Sequence, residues 1–516
     1  MSSRKDRGRP KKQEAETKAP SGEGNGEAEP SGELLDMGQA IEMVKTSRPT
    51  FYRWLRSGKI KGMKVGRQWR FYREDIERFL RGQEPRVDLP ADLTPLIESL
   101  RAQVEALGAE DVAPADASDV VHAVSLMIRL AVAMQASDLH IEPQRKAVGE
   151  GAVALVRIRV DGVLHPVAEF DVRLLPAIDE RWKTMAACDI REKHRPQDGR
   201  ILIRLKDTGR TVDVRVCFVA ATLGPSLTAR ILDPDAVGPL DLESLGYSPR
   251  DLERLIRAIE SPWGTVVLTG PTGIGKTTTH YACLSRLATP ERKLMTIEDP
   301  VEFLLPGVVQ VGLRQRDGIT FPSTVRAFLR SAPNVILVGE IRDFNTLQTV
   351  HQAGLTGHVV LTTLHADEAA RALTRMVEIG SNPFVVADST RLVMSQRLIR
   401  MLCPACSRGT EPMGSHLERA ARLAREGGVD WEALPKTFRQ PVGCSKCHQT
   451  GFRGRQLIAE ALEVTPEIGQ ALRRGASVDE LRTIAVGQGM TTMAADGIRR
   501  AAAGLTSLDE VFRVLS

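Results

Sequence analysis

The sequence predicts a multidomain α/β protein, and three observations support that prediction. Its 516 residues are enough for about three domains of ordinary size. From about residue 250 to 400, strand-like apolar runs alternate with helical segments around a glycine-rich turn, a pattern typical of a parallel sheet covered by helices. A compact basic block at 34–82 has the residue order of two helices, a hairpin and a third helix.

The first 33 residues predict a disordered tail. They carry seven basic and seven acidic side chains and no large apolar residue after Met1, so they cannot bury a core. Within the tail, 7–12 (RGRPKK) resembles an AT-hook, which inserts two arginines into A·T-rich minor grooves, with a nonspecific basic tail as the alternative. No signal peptide follows, and no run approaches the ~20 apolar residues of a membrane span. We therefore expect a cytoplasmic protein, or one that partners hold at a membrane.

The block at 34–82 holds the positive charge of the chain, with twelve basic and five acidic side chains. Asp36 and Gln39 form a capping-box pattern for a helix through Val44. A second helix over 48–56, a two-stranded wing over 64–71 and a third helix over 73–80 follow. This order resembles the excisionase/MerR-type winged helix-turn-helix domains.

That resemblance implies double-stranded DNA as a partner. The residues expected to contact DNA lie on the second helix and the wing. They are Arg48, Thr50, Tyr52, Arg53, Arg56, Arg67 and Arg70. The larger apolar residues are expected in the core, namely Phe51, Trp54, Leu55 and Phe79. Two alternatives stay open, a protein docking module and attraction to anionic lipid headgroups.

A linker is predicted at 83–115, followed by an α/β domain at 116–235 and a second linker at 236–249. The α/β domain is predicted from helical periodicity over 120–135 and strand patterns at 152–160, 201–205 and 211–219.

A phosphate-binding loop is the strongest motif of the chain. Residues 270–277 (GPTGIGKT) match GxxxxGK[ST] directly after an apolar strand at 265–269 and before a helix, the context that this motif requires. Lys276 is expected to reach the β- and γ-phosphates, and Thr277 to ligate Mg²⁺. The predicted nucleotide-binding residues here are Gly270, Pro271, Thr272, Gly273, Ile274, Gly275, Lys276, Thr277 and Thr278.

Acidic residues end two further strands. The apolar strand 335–338 runs into Glu340, a Walker B arrangement in which this carboxylate polarises the attacking water. The strand end at 296–302 (TIEDPVE) is crowded with carboxylates suited to Mg²⁺ or water, and by itself is equally compatible with a solvated turn.

Four motifs in this order resemble the secretion-ATPase family of type II secretion and type IV pilus assembly. They are GPTGIGKTTTHY, TIEDPVEF, GEIRD and TGHVVLTTLHA, and the similarity covers about 116–516. The resemblance implies a RecA-like P-loop ATPase core at 250–400 preceded by a PAS-like α/β domain. It names Glu298, Asp299 and Glu302 as the aspartate box, Glu340 as the catalytic glutamate, and His358 and His365 as the histidine box.

The resemblance also implies arginines supplied by the preceding domain. In relatives, arginines at the motifs RPQDGR (195–200) and VDVRV (212–216) reach the nucleotide phosphates when the domains close. Carried over, these are Arg200 and Arg215, with Arg230 a weaker candidate. Without the resemblance, exposed strand arginines are the simpler interpretation. Ala332-Pro333-Asn334 and Asn345 depart from the family pattern, and we expect them to affect the rate of turnover rather than abolish it.

Two CxxC pairs predict a zinc site. Cys403, Cys406, Cys444 and Cys447 supply four thiolates, enough to close a tetrahedral structural site in an insert at 401–455, with a redox disulfide pair as the rival. A helical region is predicted at 456–516.

Together these features favour a cytoplasmic ATPase that uses ATP, Mg²⁺ and Zn²⁺. The resemblance implies in addition a homo-hexamer that associates peripherally with inner-membrane platform proteins of a secretion or pilus machine. The alternative is an ATP-dependent DNA-binding regulator or DNA-handling motor, because the block at 34–82 does not resemble the usual N-terminal domains of the family.

Overall fold

The structure is a computed structural model, and it divides the chain into two compact units, residues 1–91 and 92–516. The residues that it describes are 34–56, 59–60, 62–65, 68–81, 92–109, 117–145, 151–205, 209–232, 240–314 and 317–515. The predicted disordered tail and its AT-hook-like motif lie outside them.

The first unit has the two helices, the wing and the third helix that were predicted, and a short strand that was not predicted precedes them. Its elements are β1 (Leu34–Asp36), α1 (Met37–Val44), α2 (Arg48–Arg56), β2 (Met63–Val65), β3 (Gln68–Tyr72) and α3 (Arg73–Leu80). The sheet order is β1-β3-β2, with antiparallel pairing throughout. The Asp36 carboxylate accepts a hydrogen bond from the Gln39 amide at 2.9 Å, and the Gln39 side chain accepts one from the Asp36 amide at 2.8 Å, so the capping box is present as predicted.

Aromatic side chains form the core of this unit. Phe51 on α2 meets Phe71 on β3 edge to face at 5.2 Å, and both are fully buried. Trp54 packs against Phe79 at 5.0 Å, and Leu55 lies against the same cluster. The spacing i, i+3, i+4 along α2 places these apolar residues on one face, as predicted, and leaves the other face to polar side chains.

The second unit begins with a helix where the sequence predicted a linker. Helix α4 (Thr94–Ala106) buries Leu96, Ile97, Leu100 and Val104 and packs against the next helix. The prediction of a linker over 83–115 is therefore wrong across 94–106. Its apolar residues recur at helical spacing, and the proline and acidic residues around them obscured that pattern.

An antiparallel α/β domain follows. Its elements are α5 (Asp119–Ala133), β4 (Asp138–Arg145), β5 (Ala152–Val160), β6 (Val163–Asp171), α6 (Leu175–Met185), β7 (Gln197–Arg204), β8 (Thr211–Ala221) and β9 (Gly224–Leu232). The six strands pair in the order β6-β5-β4-β9-β8-β7. Helices α5 and α6 bury apolar side chains, including the fully enclosed Trp182.

The largest part of the unit is a seven-stranded sheet covered by helices. Its first elements are α7 (Pro249–Ile259), β10 (Gly264–Thr269), α8 (Lys276–Leu287), β11 (Leu294–Glu298), β12 (Val308–Gly312), α9 (Phe321–Leu329), β13 (Val335–Val338), α10 (Phe344–Leu355) and β14 (Val359–Leu364). The remaining elements are α11 (Ala369–Glu378), α12 (Pro383–Ser389), β15 (Thr390–Leu402), β16 (Arg408–Gly409), α13 (Gly414–Glu426), β17 (Arg439–Gln440), β18 (Phe452–Glu463), α14 (Pro466–Arg473), α15 (Val478–Gly487), α16 (Met493–Ala502) and α17 (Leu508–Leu515).

This sheet has the order β12-β11-β13-β14-β10-β15-β18, and its pairs are parallel except β15 with β18. Every residue of β10, β11, β13 and β14 is buried, because helices cover both faces.

Two predicted domain boundaries change. The core was predicted to end at 400 and a helical region to begin at 456, yet β15 runs to Leu402 and residues 456–463 belong to β18. Because β18 pairs with β15 across the cysteine-bearing insert, the central sheet extends to Glu463. This pairing joins residues about sixty positions apart, which local sequence patterns do not reveal.

Within the described parts of the chain, none of the helices has the length and apolar character needed to cross a membrane.

Candidate functional site

The topology brings four predicted motifs to one edge of the central sheet. The glycine-rich loop follows β10, the carboxylate-rich segment follows β11, Glu340 follows β13 and His365 follows β14. These four strands are parallel and occupy neighbouring positions β11-β13-β14-β10, so their carboxyl ends lie side by side. This edge is where open parallel sheets bind ligands.

The glycine-rich loop needs its glycines for steric reasons. Gly270, Gly273 and Gly275 have φ values of 134°, 82° and 87°, a region that residues with a side chain rarely adopt. A Cβ at Gly270 would also come within 2.8 Å of the Arg397 guanidinium. Helix α8 begins at Lys276, so its N-terminus faces the loop as phosphate binding requires.

Lys276 lies across the loop. Its Nζ donates to the carbonyl oxygens of Gly270 and Pro271, both at 2.7 Å. The pKa of Lys276 is lowered to about 8, chiefly by burial and also by nearby Arg397, while Glu340 opposes the shift. A bound anion would supply the negative charge that this buried ammonium group lacks.

Glu340 is held by two cationic or polar neighbours. The Arg342 Nε donates to its Oε1 at 2.8 Å, and Nε2 of His365 lies 3.5 Å from its Oε2. Arg342 also donates to Asp299 at 3.1 Å. The predicted catalytic glutamate, one histidine and one member of the aspartate box are thus brought together.

The three acidic residues of the predicted aspartate box have different surroundings. Glu298 is buried, and its carboxylate accepts hydrogen bonds from Tyr281 Oη at 2.5 Å, Thr296 Oγ1 at 2.5 Å and Gln310 Nε2 at 3.2 Å. Asp299 faces Arg342. Glu298 is thus engaged within the fold, whereas Asp299 pairs with Arg342 and Glu302 pairs with Arg215.

Of the three arginines proposed on the preceding domain, Arg215 reaches this edge. From β8, its Nη1 lies 3.0 Å from Glu302 Oε2 and its Nη2 donates to Val301 O at 3.2 Å. Burial raises the pKa of Glu302, while Arg215 and Arg230 lower it. The other two are paired inside their own domain, Arg200 with Asp213 at 2.9 Å and Arg230 with Asp138 at 3.5 Å.

The two predicted box histidines lie at opposite ends of one strand. His365 follows β14, at the edge of the sheet that carries the glycine-rich loop. His358 precedes β14, and the Nδ1 atom of His358 lies 3.1 Å from Ala353 O. Six strand residues at about 3.3 Å each separate them by roughly 20 Å. The structure does not bring His358 to the cluster around Glu340.

Two residues at the site were not identified from the sequence. Gln396 on β15 donates to Ile274 O in the loop at 3.1 Å and accepts from Tyr247 Oη at 2.8 Å. Tyr281 supports Glu298 from α8. Tyr281 stands within a motif that the sequence did reveal, but nothing local signals Gln396, which comes to the loop through the β10–β15 pairing.

The four cysteines of the CxxC pairs converge. Their Sγ atoms all lie within 4.8 Å of one another, with separations of 3.7, 3.8 and 4.0 Å among three of the pairs. Tetrahedral Zn²⁺ with Zn–S bonds of ~2.3 Å requires S–S distances of about 3.8 Å, so the donor set fits that ion. The amides of Cys444 and Gly451 each donate to Cys447 Sγ at 3.2 Å, and such bonds stabilise the thiolate form that binds a metal. These four cysteines would hold a zinc ion, and a set of four protein ligands would leave no open coordination position.

In the first unit, the predicted DNA-contacting residues of α2 are accessible. Arg48 and Arg53 are exposed, and Thr50 and Tyr52 are half-buried. Arg70 on β3 is half-buried and donates to Gln68. The Arg56 side chain and Arg67 lie outside the described residues.

Similarity to known proteins shows the family to which this chain belongs. A family model described as type II/IV secretion system protein matches residues 113–513. The chain belongs to this family. A model for a helix-turn-helix domain matches residues 34–84. The predictions of the family, of the RecA-like P-loop core and of the enzyme class, an ATP hydrolase, are confirmed.

Several members of the type II/IV secretion system protein family are similar over most of this chain. The type II secretion system protein HxcR of Pseudomonas aeruginosa is 40% identical over 423 residues, covering 82% of both chains. The type II secretion system protein E of Klebsiella pneumoniae is 41% identical over 82% of this chain and 80% of its own. The type IV pilus assembly ATPase PilB of Myxococcus xanthus is 37% identical over 85% of this chain and 75% of its own.

Solved structures support the fold. The ATPase DotB of Legionella pneumophila superposes with a TM-score of 0.54 at 21% identity, covering 78% of this chain and 96% of its own. The ATPase DotB of Yersinia pseudotuberculosis gives a TM-score of 0.56 at 18% identity, covering 79% and 97%.

Proposed function

We propose that this chain is the ATPase that powers a type II secretion or type IV pilus assembly machine. It works as a homo-hexamer in the cytoplasm, bound peripherally to inner-membrane platform proteins. The support is family membership with relatives of 37–41% identity, two named for type II secretion and one for pilus assembly.

The observation that carries the proposal is the convergence of Lys276, Glu340 and Arg215 at one sheet edge. Lys276 and the amides of its loop bind the β- and γ-phosphates, and Thr277 on the first turn of α8 ligates Mg²⁺. Nucleotide binding gives the Lys276 ammonium a stronger partner than the two carbonyls that it now contacts.

Glu340 orients the attacking water. In the present arrangement, Arg342 occupies one oxygen of this carboxylate and His365 lies near the other. Glu340 therefore exchanges at least one of these partners for water before hydrolysis, and Asp299 offers Arg342 an alternative carboxylate at 3.1 Å.

The arginines couple hydrolysis to domain motion. Arg215 already contacts the segment after β11, and domain closure would bring its guanidinium to the phosphates, where it offsets developing charge. Arg200 needs a larger rearrangement, because it must leave Asp213 first.

The test is steady-state ATP hydrolysis by purified protein. We expect Lys276→Ala to abolish nucleotide binding or turnover, and Glu340→Gln to lower kcat at least about 100-fold while ATP stays bound. Glu253→Gln, an exposed carboxylate on α7, is the matched control and should leave kcat unchanged. Normal turnover by Lys276→Ala or Glu340→Gln would refute the assignment of the site.

A second function is favoured by the helix-turn-helix match at 34–84. In this alternative, α2 binds the major groove of double-stranded DNA through Arg48 and Arg53, and the ATPase is a DNA-dependent regulator or motor. The contacts are electrostatic in part, so affinity must fall as salt rises.

The discriminating experiment is ATP hydrolysis with and without duplex DNA across a salt series. Salt-sensitive stimulation that is lost in Arg48→Ala/Arg53→Ala would favour the DNA-handling function. The control is Arg81→Ala, because Arg81 is exposed at the end of α3 and pairs with Glu77. Turnover indifferent to DNA would leave the secretion motor, with the first unit serving as a docking module.

A further inference from the structure

A cavity of about 580 Å³ separates the α/β domain from the cysteine-bearing insert. One wall consists of the C-terminal ends of α4 and α5 together with the β5–β6 turn, and the other of residues 445–454. This cavity lies away from the edge of the sheet that carries the glycine-rich loop. Gln396 on β15 contacts that loop, and Arg400, the cavity's lining residue on β15, lies four residues further along the strand.

The insert side of the cavity is basic. Lys446 and Arg453 line it, and among the described residues neither forms an ion pair with a carboxylate. The single acidic residue of the lining, Asp161, is already engaged, since it accepts from the Gly454 amide at 3.0 Å and lies 3.5 Å from Arg455. Arg400 is likewise compensated by Glu510 at 2.7 Å.

The charged side chains of the lining are mostly cationic. They are Lys446, Arg453 and Arg400 against the single carboxylate of Asp161, and this excess favours a negative ligand.

The opposite wall is partly apolar and would orient such a ligand. Ala133, Met134 and Val160 contribute apolar surface beside the polar Gln103, Gln135 and His165. Helices α4 and α5 end here at Ala106 and Ala133, and the carbonyl ends of helices repel anions. A ligand would thus place its charge toward the insert and its apolar body toward the helices.

We propose that this cavity binds a small amphipathic anion, with a phosphate or carboxylate group at Lys446 and Arg453 and an apolar or aromatic body against Met134 and Val160. Such a ligand joins the α/β domain, which supplies Arg215, to the insert. The site is separate from the ATPase function proposed above, and its test does not depend on hydrolysis.

The test uses the fluorescent anion 8-anilinonaphthalene-1-sulfonate, titrated into the full-length protein with saturating Mg–ADP to block the nucleotide site. We expect one saturable site per chain that is weakened at least tenfold in Lys446→Glu/Arg453→Glu. The matched control, Arg408→Glu/Arg422→Glu, makes the same charge change at exposed positions of the insert outside the cavity and should bind as wild type does. The uncharged analogue N-phenyl-1-naphthylamine should bind at least tenfold more weakly than the anion.

A competing account is that Lys446 and Arg453 only offset the two negative charges of a zinc-loaded tetrathiolate cluster. Absence of a saturable anion site in the wild type, or equal binding of the uncharged analogue, would overturn the proposal in favour of that account or of a simple apolar cavity. Zinc content is measured for each variant. Should charge reversal release zinc, Ala133→Phe fills the apolar end without touching the insert, and unchanged anion binding in that variant would also overturn the proposal.

Discussion

Removing the Tyr281 hydroxyl should loosen the aspartate box. This side chain is fully buried on α8, and its oxygen has three hydrogen-bond partners: it donates to Glu298 at 2.5 Å and accepts from the Glu302 amide at 3.2 Å and from Gln310 Nε2 at 3.4 Å. Burial raises the pKa of Tyr281, so the hydroxyl stays protonated and remains a donor.

The magnitude follows from these bonds. A hydrogen bond to a buried carboxylate contributes about 1.5–3 kcal/mol, and the two longer neutral bonds about 0.5 kcal/mol each. Tyr281→Phe should therefore cost roughly 2.5–4 kcal/mol in the local free energy of opening. Because each 1.36 kcal/mol is tenfold, the amides of β11 and of 299–303 should exchange hydrogen about 70- to 1000-fold faster.

Hydrogen exchange read by mass spectrometry checks this prediction. The matched control is Tyr247→Phe, because that buried hydroxyl contacts Thr279 at 2.9 Å and Gln396 at 2.8 Å, both neutral. We expect this control to leave exchange in β11 unchanged and to affect the region around α8 by about 1 kcal/mol. Unchanged exchange of β11 in Tyr281→Phe, or equal changes in both variants, would refute the reasoning.

Three further predictions concern the metal site, pH and the arginines. Cys444→Ser should release zinc and lower the melting temperature by at least about 5 °C, and an unchanged metal content by elemental analysis would contradict the site. Burial lowers the pKa of His351 to about 4, below the ordinary ~6.5. Between these two pH values the unfolded chain therefore binds more protons than the folded chain. The free energy of unfolding should fall by about 1.4 kcal/mol for each pH unit as the pH drops through this range. Acid unfolding of His351→Asn should show a correspondingly shallower loss, and an identical pH profile would count against it. Arg215→Ala should lower kcat by about 100-fold or more. Arg200→Ala should do so only if the bond between Arg200 and Asp213 breaks during turnover. A wild-type kcat in Arg215→Ala would exclude Arg215 from the reaction.

The local sequence was sufficient for several elements and for recognising the P-loop. Helices α1, α2 and α3 begin and end where capping residues and apolar spacing predict, and β5 and β13 match their predicted bounds, because these signals act within a few residues. The identity of the glycine-rich loop followed from residue type and spacing, since only glycine accommodates φ values such as the 134° of Gly270.

What the sequence could not determine depends on pairing between distant segments. Gln396 reaches the loop because β15 pairs with β10, and the sheet extends to β18 across the insert. Likewise, Arg215 rather than Arg200 contacts the segment after β11, although both were equal candidates. Local composition by itself determined which residues could do chemistry in this protein. The order of the strands and the packing of the α/β domain against the core decided which of these residues meet, because contacts between distant segments depend on the whole fold.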